Sequence, residues 1–303
     1  MRTPAALIAL ALAFGGVGWS ARCTTVLDPL GLQEYQSYVA RVQEAMAARF
    51  RRGDLAWVPN SARQDAMADL NAGRQVRWNI SDATVNQRIA DRNATVINWI
   101  GAIRIRVTRI EDFVAVLQDY SQYASIYRPM IYECRSHPIA GSTPVAYDVT
   151  FGFQNTYRGV GLFPQHYSFE VKSRAEYSGD GRQPGSMLLV HSRSSEIRES
   201  NSGEPGRIDF LEPYHDHGIL WALNTYWRAR QNGPDLYVEF EAITLARSVQ
   251  GFKCKIGLLP VPKLIVVGVM DSIPSESLDL MLAATKTECE RRAAQRPARA
   301  SRE

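Results

Sequence analysis

GILWALNTYWRARQNGPDLYVEFEAITLARSV, residues 218–249, predicts two β-strands joined by a tight turn. Its first half alternates as a strand with one buried face does, because successive side chains of a strand point to opposite faces. The side chains of the inward face, most of them large and apolar, are those of Ile219, Trp221, Leu223, Thr225 and Trp227. Gly233 and Pro234 supply the turn, since glycine permits a positive φ and proline fixes the corner. The segment therefore predicts a hairpin with one strongly apolar face.

The return strand of this hairpin alternates in the same way. Phe240 and Ala242 lie on its inward face, whereas Glu239 and Glu241 lie on the other. An isolated two-stranded hairpin is at best marginally stable in water. The hairpin therefore predicts a larger sheet and another element packed across the inward face.

The chain on either side of the hairpin supplies both. A long alternating strand is predicted from near Thr95, followed by a helix. Further strands are predicted between clusters of Gly, Pro, Ser or Asn, at residues 130–138, 145–157, 166–177 and 187–199. A final helix is predicted to open at Ile273-Pro274, because proline is favoured in a first helical turn. This order predicts an α+β fold in which the last helix covers an antiparallel sheet.

A sheet that curls around one helix leaves space between the two layers. We expect this space to be a ligand pocket lined by inward side chains of the sheet and of the helix. They are Trp99, Phe151, Phe153, Tyr167, Phe169, Trp221, Leu223, Phe240 and Met281. His191 and Arg193 belong to a strand whose alternation is less clear. They either add two polar groups to the pocket, as in many ligand sites, or lie on the solvent face.

Both ends of the chain differ in character from the middle. Residues 1–20 carry an arginine, an apolar run and small residues before the cleavage point, which is typical of a secretory signal peptide. Residues 21–92 predict an N-terminal helical extension with too little apolar sequence for its own core, so we expect it to pack on the main domain. Within it, the polar residues 73–92 predict an irregular connection. Residues 293–303 predict a disordered basic tail. We expect a periplasmic or secreted protein with no transmembrane anchor in its mature form.

Composition and motifs weigh against several classes of function. Hydrophobic residues make up 45% of the chain and the net charge is +4, as in an ordinary globular protein. The sequence has no GxGxxG or GxxxxGK[ST] loop for a nucleotide and no GxSxG motif for a nucleophilic serine. The aromatic residues fall on inward strand faces, which favours a core or pocket over stacking on nucleic acid. The pairing of the cysteines stays open among Cys23, Cys134, Cys254 and Cys289, and a buried free thiol fits Cys289 equally well because it lies on the apolar stripe of the last helix.

His215-Asp216-His217 is the strongest candidate for a metal site. In an extended chain both imidazoles point the same way, and with the carboxylate they could bind zinc or iron. A metal site needs a further ligand, and the spacing of the other histidines brings none there. We therefore expect these residues to bond backbone groups at the edge of the sheet, and we expect neither a metal nor a cofactor.

Several segments resemble the START-like, or SRPBCC, helix-grip superfamily, and in particular its exported bacterial members. The resemblance covers about residues 94–292 and is carried by Trp99–Ala102, Leu117–Tyr120, Ile126–Pro129, His217–Arg228, Glu241–Leu245 and Ile273–Leu278. It implies a curved antiparallel β-sheet wrapped around a long C-terminal helix, over residues 93–292. The superfamily includes polyketide cyclases and lipid-transfer domains, so the resemblance leaves the function open.

Three functions follow as hypotheses. The first is periplasmic binding or carriage of a lipid, isoprenoid or polyketide-like ligand in the cavity. The second is a cyclase or hydratase that uses His191, Arg193 or a pocket tyrosine as acid or base. The third is a structural envelope protein with a filled core. We expect the first, in a monomer whose partner is a hydrophobic small molecule or lipid, with transient membrane contact and no nucleic acid.

Overall fold

The computed structural model describes residues 24–52, 59–157, 165–182, 186–248, 255–256, 259–260 and 263–296. The helices in these ranges are α1 Pro29–Arg52, α2 Arg63–Asn71, α3 Ala83–Ile89, α4 Ile110–Gln118, α5 Tyr123–Ile126 and α6 Lys263–Ala294. The strands are β1 Thr25–Val26, β2 Val76–Asn79, β3 Ala94–Ile105, β4 Ile131–Pro138, β5 Val145–Tyr157, β6 Gln165–Ser178, β7 Leu188–Glu199, β8 His215–Asp216, β9 Ala222–Asn232, β10 Asp235–Arg247, β11 Lys255–Ile256 and β12 Leu259–Pro260. The predicted signal peptide and most of the predicted tail lie outside the described residues. Within them, no helix has the length and hydropathy needed to cross a membrane.

Over the described residues, an eight-stranded antiparallel sheet has the order β2-β3-β10-β9-β7-β6-β5-β4. The predicted hairpin is confirmed as β9 and β10, which pair along their length and lie in the interior of the sheet. Its turn contains Gly233, whose φ of 59° is one that residues with a Cβ rarely adopt. The strands predicted at residues 130–138, 145–157, 166–177 and 187–199 are confirmed as β4 to β7. Local alternation and clusters of turn-forming residues therefore predicted these strands correctly.

Helix α6 lies across one face of the sheet, which we call the inner face. Gly101 of β3 permits this close approach. A Cβ built at Gly101 would lie 2.6 Å from Leu278 Cδ2 and 2.8 Å from Leu282 Cδ1, closer than real Cβ atoms approach other atoms. The α+β helix-grip arrangement predicted from the sequence, an antiparallel sheet around a C-terminal helix, is confirmed.

Helix α6 is longer than predicted. It begins at Lys263, whereas the sequence predicts a start at Ile273-Pro274. Pro274 lies inside the helix, where a proline removes one backbone hydrogen bond. Proline is favoured in a first turn but is not confined to one, which is why the predicted start is too late.

The N-terminal extension packs on the other face of the sheet, which we call the outer face. Helix α1 buries Tyr35, Tyr38 and Met46 in an apolar cluster with residues of β3, β9 and β10. Residues 73–92, predicted as an irregular connection, instead contain α3 and β2, an edge strand of the main sheet. The extension therefore packs on the sheet as predicted, but it is not wholly helical.

Buried charges also join α1 to the outer face. The Arg228 side chain is only 1% exposed and lies 2.5 Å from Glu239 and 2.6 Å from Glu241. Arg49 of α1 donates to both oxygens of Glu239, at 3.2 and 2.9 Å, and Asn98 donates to Glu241 at 3.0 Å. Burial alone would lower the pKa of Arg228, but the two carboxylates raise it above its ordinary value. Each charge in this outer-face network is paired, as buried charges must be.

Cys134 and Cys289 are free thiols. Burial raises the pKa of each to about 12, so both remain protonated at neutral pH. Cys289 is fully buried in the apolar core beneath α6, as one of the alternatives from the sequence describes. Cys23 and Cys254 lie outside the described residues.

Candidate functional site

A cavity of about 160 Å³ lies between the inner face of the sheet and α6. Its walls come from β4 to β7, β9 and β10, its roof from Pro274, Ser277, Leu278 and Met281 of α6, and one end from the segment around α4 and α5. Packed protein interiors contain few voids larger than a water molecule. This cavity therefore differs from the packed clusters elsewhere in the described core.

The cavity exists because one row of the sheet carries small side chains. Backbone pairing aligns Ala175, Ser192, Thr225 and Ala242 across β6, β7, β9 and β10, and all of them line the cavity. Directly paired residues have Cβ atoms about 5 Å apart. Short side chains in an unbroken row therefore leave a continuous gap beneath the helix.

The next row toward the hairpin turn is filled instead. Pairing aligns Tyr177, Val190, Trp227 and Phe240, which also line the cavity. The rings of Trp227 and Phe240 lie 4.3 Å apart between centroids, and Phe113 of α4 meets Trp227 edge-on at 5.9 Å. This row of large side chains closes the cavity at the end nearest the turn.

Three tyrosines present their rings to the cavity, while their hydroxyls are bonded to the protein. The hydroxyls of Tyr177 and Tyr123 donate to the Leu117 carbonyl oxygen at 2.8 and 2.6 Å. The Tyr120 hydroxyl lies 2.7 Å from that of Tyr177. Burial raises the pKa of all three phenols above the ordinary value, so they stay protonated at neutral pH. Their hydroxyls therefore belong to the framework of the site.

The structure brings together many of the ligand-binding residues predicted from the sequence. Those that line the cavity are Phe151, Phe153, Phe169, Leu223, Phe240 and Met281. Tyr167 is buried in an adjoining apolar cluster and is not part of the lining. Trp99 is partly buried against the core beneath α6, with the Arg77 guanidinium 5.5 Å from its ring centroid, and is also outside the lining. Ligand binding by any of these residues stays a prediction.

Trp221 is the clearest correction to the predicted pocket. It packs in the outer-face cluster that contains Tyr35, and its indole donates to Asp216 at 2.8 Å. The alternation of β9 does not reach it, because the strand begins at Ala222 and Trp221 lies in a bend after Gly218, whose φ is 77°. The bend turns the side chain to the opposite face from Leu223. Trp221 is therefore not a pocket residue.

His191 and Arg193 are also absent from the lining. The residues of β7 that line the cavity are Val190 and Ser192, so the even-numbered face is the inner one. Arg193 is exposed, as one sequence alternative describes. His191 is half-buried on the outer face, where its ring stacks on Tyr226 at 4.5 Å between centroids. Burial lowers the pKa of His191 below its ordinary value.

The histidine-rich segment before β9 makes structural contacts. His217 bonds the Glu199 carboxylate through Nδ1 at 3.0 Å and through its backbone nitrogen at 3.2 Å. Asp216 Oδ1 accepts from the Gly218 nitrogen at 2.7 Å. Burial, reinforced by the Glu199 carboxylate, raises the pKa of Asp216 to about 7. Among the described residues, no group of three His, Cys, Asp or Glu side chains has an arrangement that could hold a metal ion.

The polar lining residues are not identifiable as a group from sequence patterns. Ser192 was not predicted as a lining residue because the alternation of β7 did not reveal which face points inward. Tyr120 and Tyr123 lie in a short 3₁₀ turn and in α5, where no helical or strand period marks a buried face. Their tyrosine-rich composition was the available signal.

Comparison with known proteins finds similarity only to solved structures of low sequence identity. No family model matches the sequence, and no curated protein matches it. Similar solved structures include the Zhui aromatase/cyclase from Streptomyces sp. R1128, 13% identical, with 65% of this chain and 95% of that chain covered and a TM-score of 0.40. A STAR-related lipid transfer protein from Xanthomonas axonopodis is 11% identical, with 71% and 98% covered and a TM-score of 0.38. Human STARD10 is 12% identical, with 79% and 84% covered and a TM-score of 0.37.

Proposed function

We propose that the protein is an exported binding protein that holds a hydrophobic ligand in the cavity under α6 and sequesters or carries it in the periplasm. The cavity of about 160 Å³, lined chiefly by apolar and aromatic side chains, carries the proposal. Moving apolar surface from water into such a space is favourable by about 25 cal/mol per Å². The signal-peptide pattern of residues 1–20 supports export.

The described lining favours binding over catalysis. A cyclase or hydratase needs an acid or base in contact with its ligand. His191 and Arg193 are not in the lining, and the hydroxyls of Tyr123 and Tyr177 already donate to Leu117. A protein with a filled core fits less well, because the small-residue row leaves space that the protein's own side chains do not fill.

The first experiment is native mass spectrometry of the protein purified from its own periplasm, followed by organic extraction. We expect a hydrophobic molecule bound at near one-to-one stoichiometry. If the protein is recovered without a ligand, uptake of an apolar fluorescent dye is the second measurement. A clean ligand-free mass together with no dye uptake would contradict the proposal.

A substitution within the small-residue row connects binding to the cavity. Ala242→Leu fills the gap, so dye affinity should fall by about tenfold or more. The free energy of unfolding should stay constant or rise by about 1 kcal/mol, because apolar contacts replace empty space. Ala283→Leu, on the exposed side of α6, is the matched control and should leave dye affinity unchanged. Equal dye affinity in both variants would place the binding site elsewhere.

A further inference from the structure

We propose that Ser192 and Thr225 form the polar anchor of the cavity, and that the ligand is an uncharged, mainly hydrocarbon molecule with a hydroxyl or carbonyl oxygen placed against them. This inference rests on the proposed function and specifies the chemical class of ligand. Two hydroxyl groups of the described cavity lining remain available for hydrogen bonding, and the sheet aligns them side by side.

Among the described lining residues, Ser192 and Thr225 carry the hydroxyls that remain available. Neither has a side-chain hydrogen-bond partner in the part of the chain that the structure describes. The other hydroxyl groups of the lining are engaged. Thr244 donates to a backbone carbonyl at 3.4 Å, and Ser277 accepts from Asn155 at 3.5 Å. The tyrosine hydroxyls are held by one another and by Leu117.

The sheet places these two hydroxyl-bearing residues side by side. Ser192 of β7 pairs directly with Thr225 of β9. Paired Cβ atoms lie about 5 Å apart, so both hydroxyls can reach the same ligand oxygen. Each hydroxyl both donates and accepts, so the pair can bond either an alcohol or a carbonyl. Ala175 and Ala242 flank the pair in the small-residue row and leave room for the ligand.

The charge of the lining sets the charge of the ligand. Among the described lining residues there is no Asp, Glu, His, Lys or Arg. A carboxylate or ammonium group buried here would lose its hydration without gaining an opposite charge, which is very unfavourable. A neutral oxygen loses less and regains hydrogen bonds from Ser192 and Thr225. The cavity therefore favours neutral alcohols and ketones over ionised lipids with the same hydrocarbon chain.

A matched set of probes tests this selectivity. The probes are 1-decanol, 2-decanone, decanoate and decylammonium, which compete at neutral pH against a neutral apolar dye bound to the full-length mature protein. We expect the alcohol and the ketone to displace the dye and both ions to bind about tenfold more weakly or worse. Decanoate or decylammonium competing as well as decanol would overturn the inference.

Variants of the hydroxyl pair test the anchor itself. Ser192→Ala combined with Thr225→Val should weaken decanol binding by about tenfold and should weaken dye binding much less, because the dye needs no hydrogen bond. Thr225→Ser retains a hydroxyl and should retain decanol binding. Ser195→Ala, at an exposed position of the same strand, is the control. Unchanged decanol affinity in a folded double variant would overturn the inference.

The results separate this inference from the proposed function. Dye uptake that Ala242→Leu abolishes, together with no preference among the probes, would retain the hydrophobic site and reject the anchor. If the double variant fails to fold, Thr225→Ser and the probe series on the wild-type protein still test the anchor. A wild-type protein that takes up neither dye nor decanol would reject both proposals.

Discussion

The two faces of the central sheet are built on opposite principles. The inner face combines large apolar side chains with a row of short ones, and it leaves a cavity beneath α6. The outer face carries Arg228, Glu239 and Glu241, all buried beneath α1 and paired with one another. One face therefore leaves apolar surface available to a ligand, whereas the other satisfies its polar groups within the protein.

This contrast separates residues for binding from residues for stability. Changes on the outer face should alter the free energy of unfolding and leave ligand affinity of the folded protein unchanged. Changes in the small-residue row should alter ligand affinity without lowering the free energy of unfolding. The sequence alone had mixed the two sets, since it assigned Trp221 to the pocket.

The largest expected effect belongs to Arg228→Met. Removing the guanidinium leaves Glu239 and Glu241 buried with their main opposite charge gone, although Arg49 still contacts Glu239. Breaking a buried pair in this way costs about 3–5 kcal/mol. Urea unfolding measures the loss, and dye affinity of the folded fraction should not change.

A second substitution checks the cause of that loss. Glu241→Gln added to Arg228→Met removes one unpaired carboxylate and should restore part of the stability, because the amide oxygen can still accept from Asn98. A loss below about 1 kcal/mol in the single variant would mean that the network contributes little to stability.

The next effect is a pH dependence that originates at Asp216. Its pKa is raised from 3.8 to about 7 in the folded protein by burial and by Glu199. The folded protein therefore binds this proton more tightly than the unfolded chain does. The resulting stabilisation is fully present below about pH 4 and is lost as the pH rises through about 7, by roughly 2–4 kcal/mol.

Asp216→Asn removes this ionisation and isolates its contribution. Its side-chain oxygen can still accept from Gly218 and Trp221. We expect a smaller fall in unfolding free energy than in wild type between about pH 5 and about pH 8, measured by urea at each pH. Identical pH slopes in the two proteins would assign the dependence to other groups.

The sequence predicted most of the sheet because alternation is a local property. β5, β6 and the hairpin each show it within their own residues, and the inward aromatic side chains Phe151, Phe153 and Phe169 followed from it. β2 and α3 were missed because they are short and polar. The start of α6 was misplaced because Pro274 resembles a helix opening.

The rest of the site depends on strand register, which no single segment contains. Ser192 and Thr225 are far apart in the chain and meet only through the pairing of β7 with β9. The register of β7 against β6 also shifts between Lys172 and Ser173, so extrapolation along one strand fails. The prediction for Trp221 was wrong for a related reason, because the chain bends at this residue just before β9 begins.

His191→Ala should give the smallest effect, and it tests the assignment of faces most directly. The substitution removes the stack on Tyr226 and a contact at 2.9 Å with Asn224 Oδ1, so the free energy of unfolding should fall by about 1 kcal/mol. Ligand affinity should stay within error, because the side chain lies on the outer face. Arg193→Ala, at an exposed position of the same strand, is the control and should change neither quantity.

If His191 were instead an acid or base in the pocket, His191→Ala would give the opposite result. The free energy of unfolding would not change, and ligand affinity would fall by tenfold or more, which is about 1.4 kcal/mol of binding free energy. That outcome would place His191 in the cavity and would support the enzyme hypothesis.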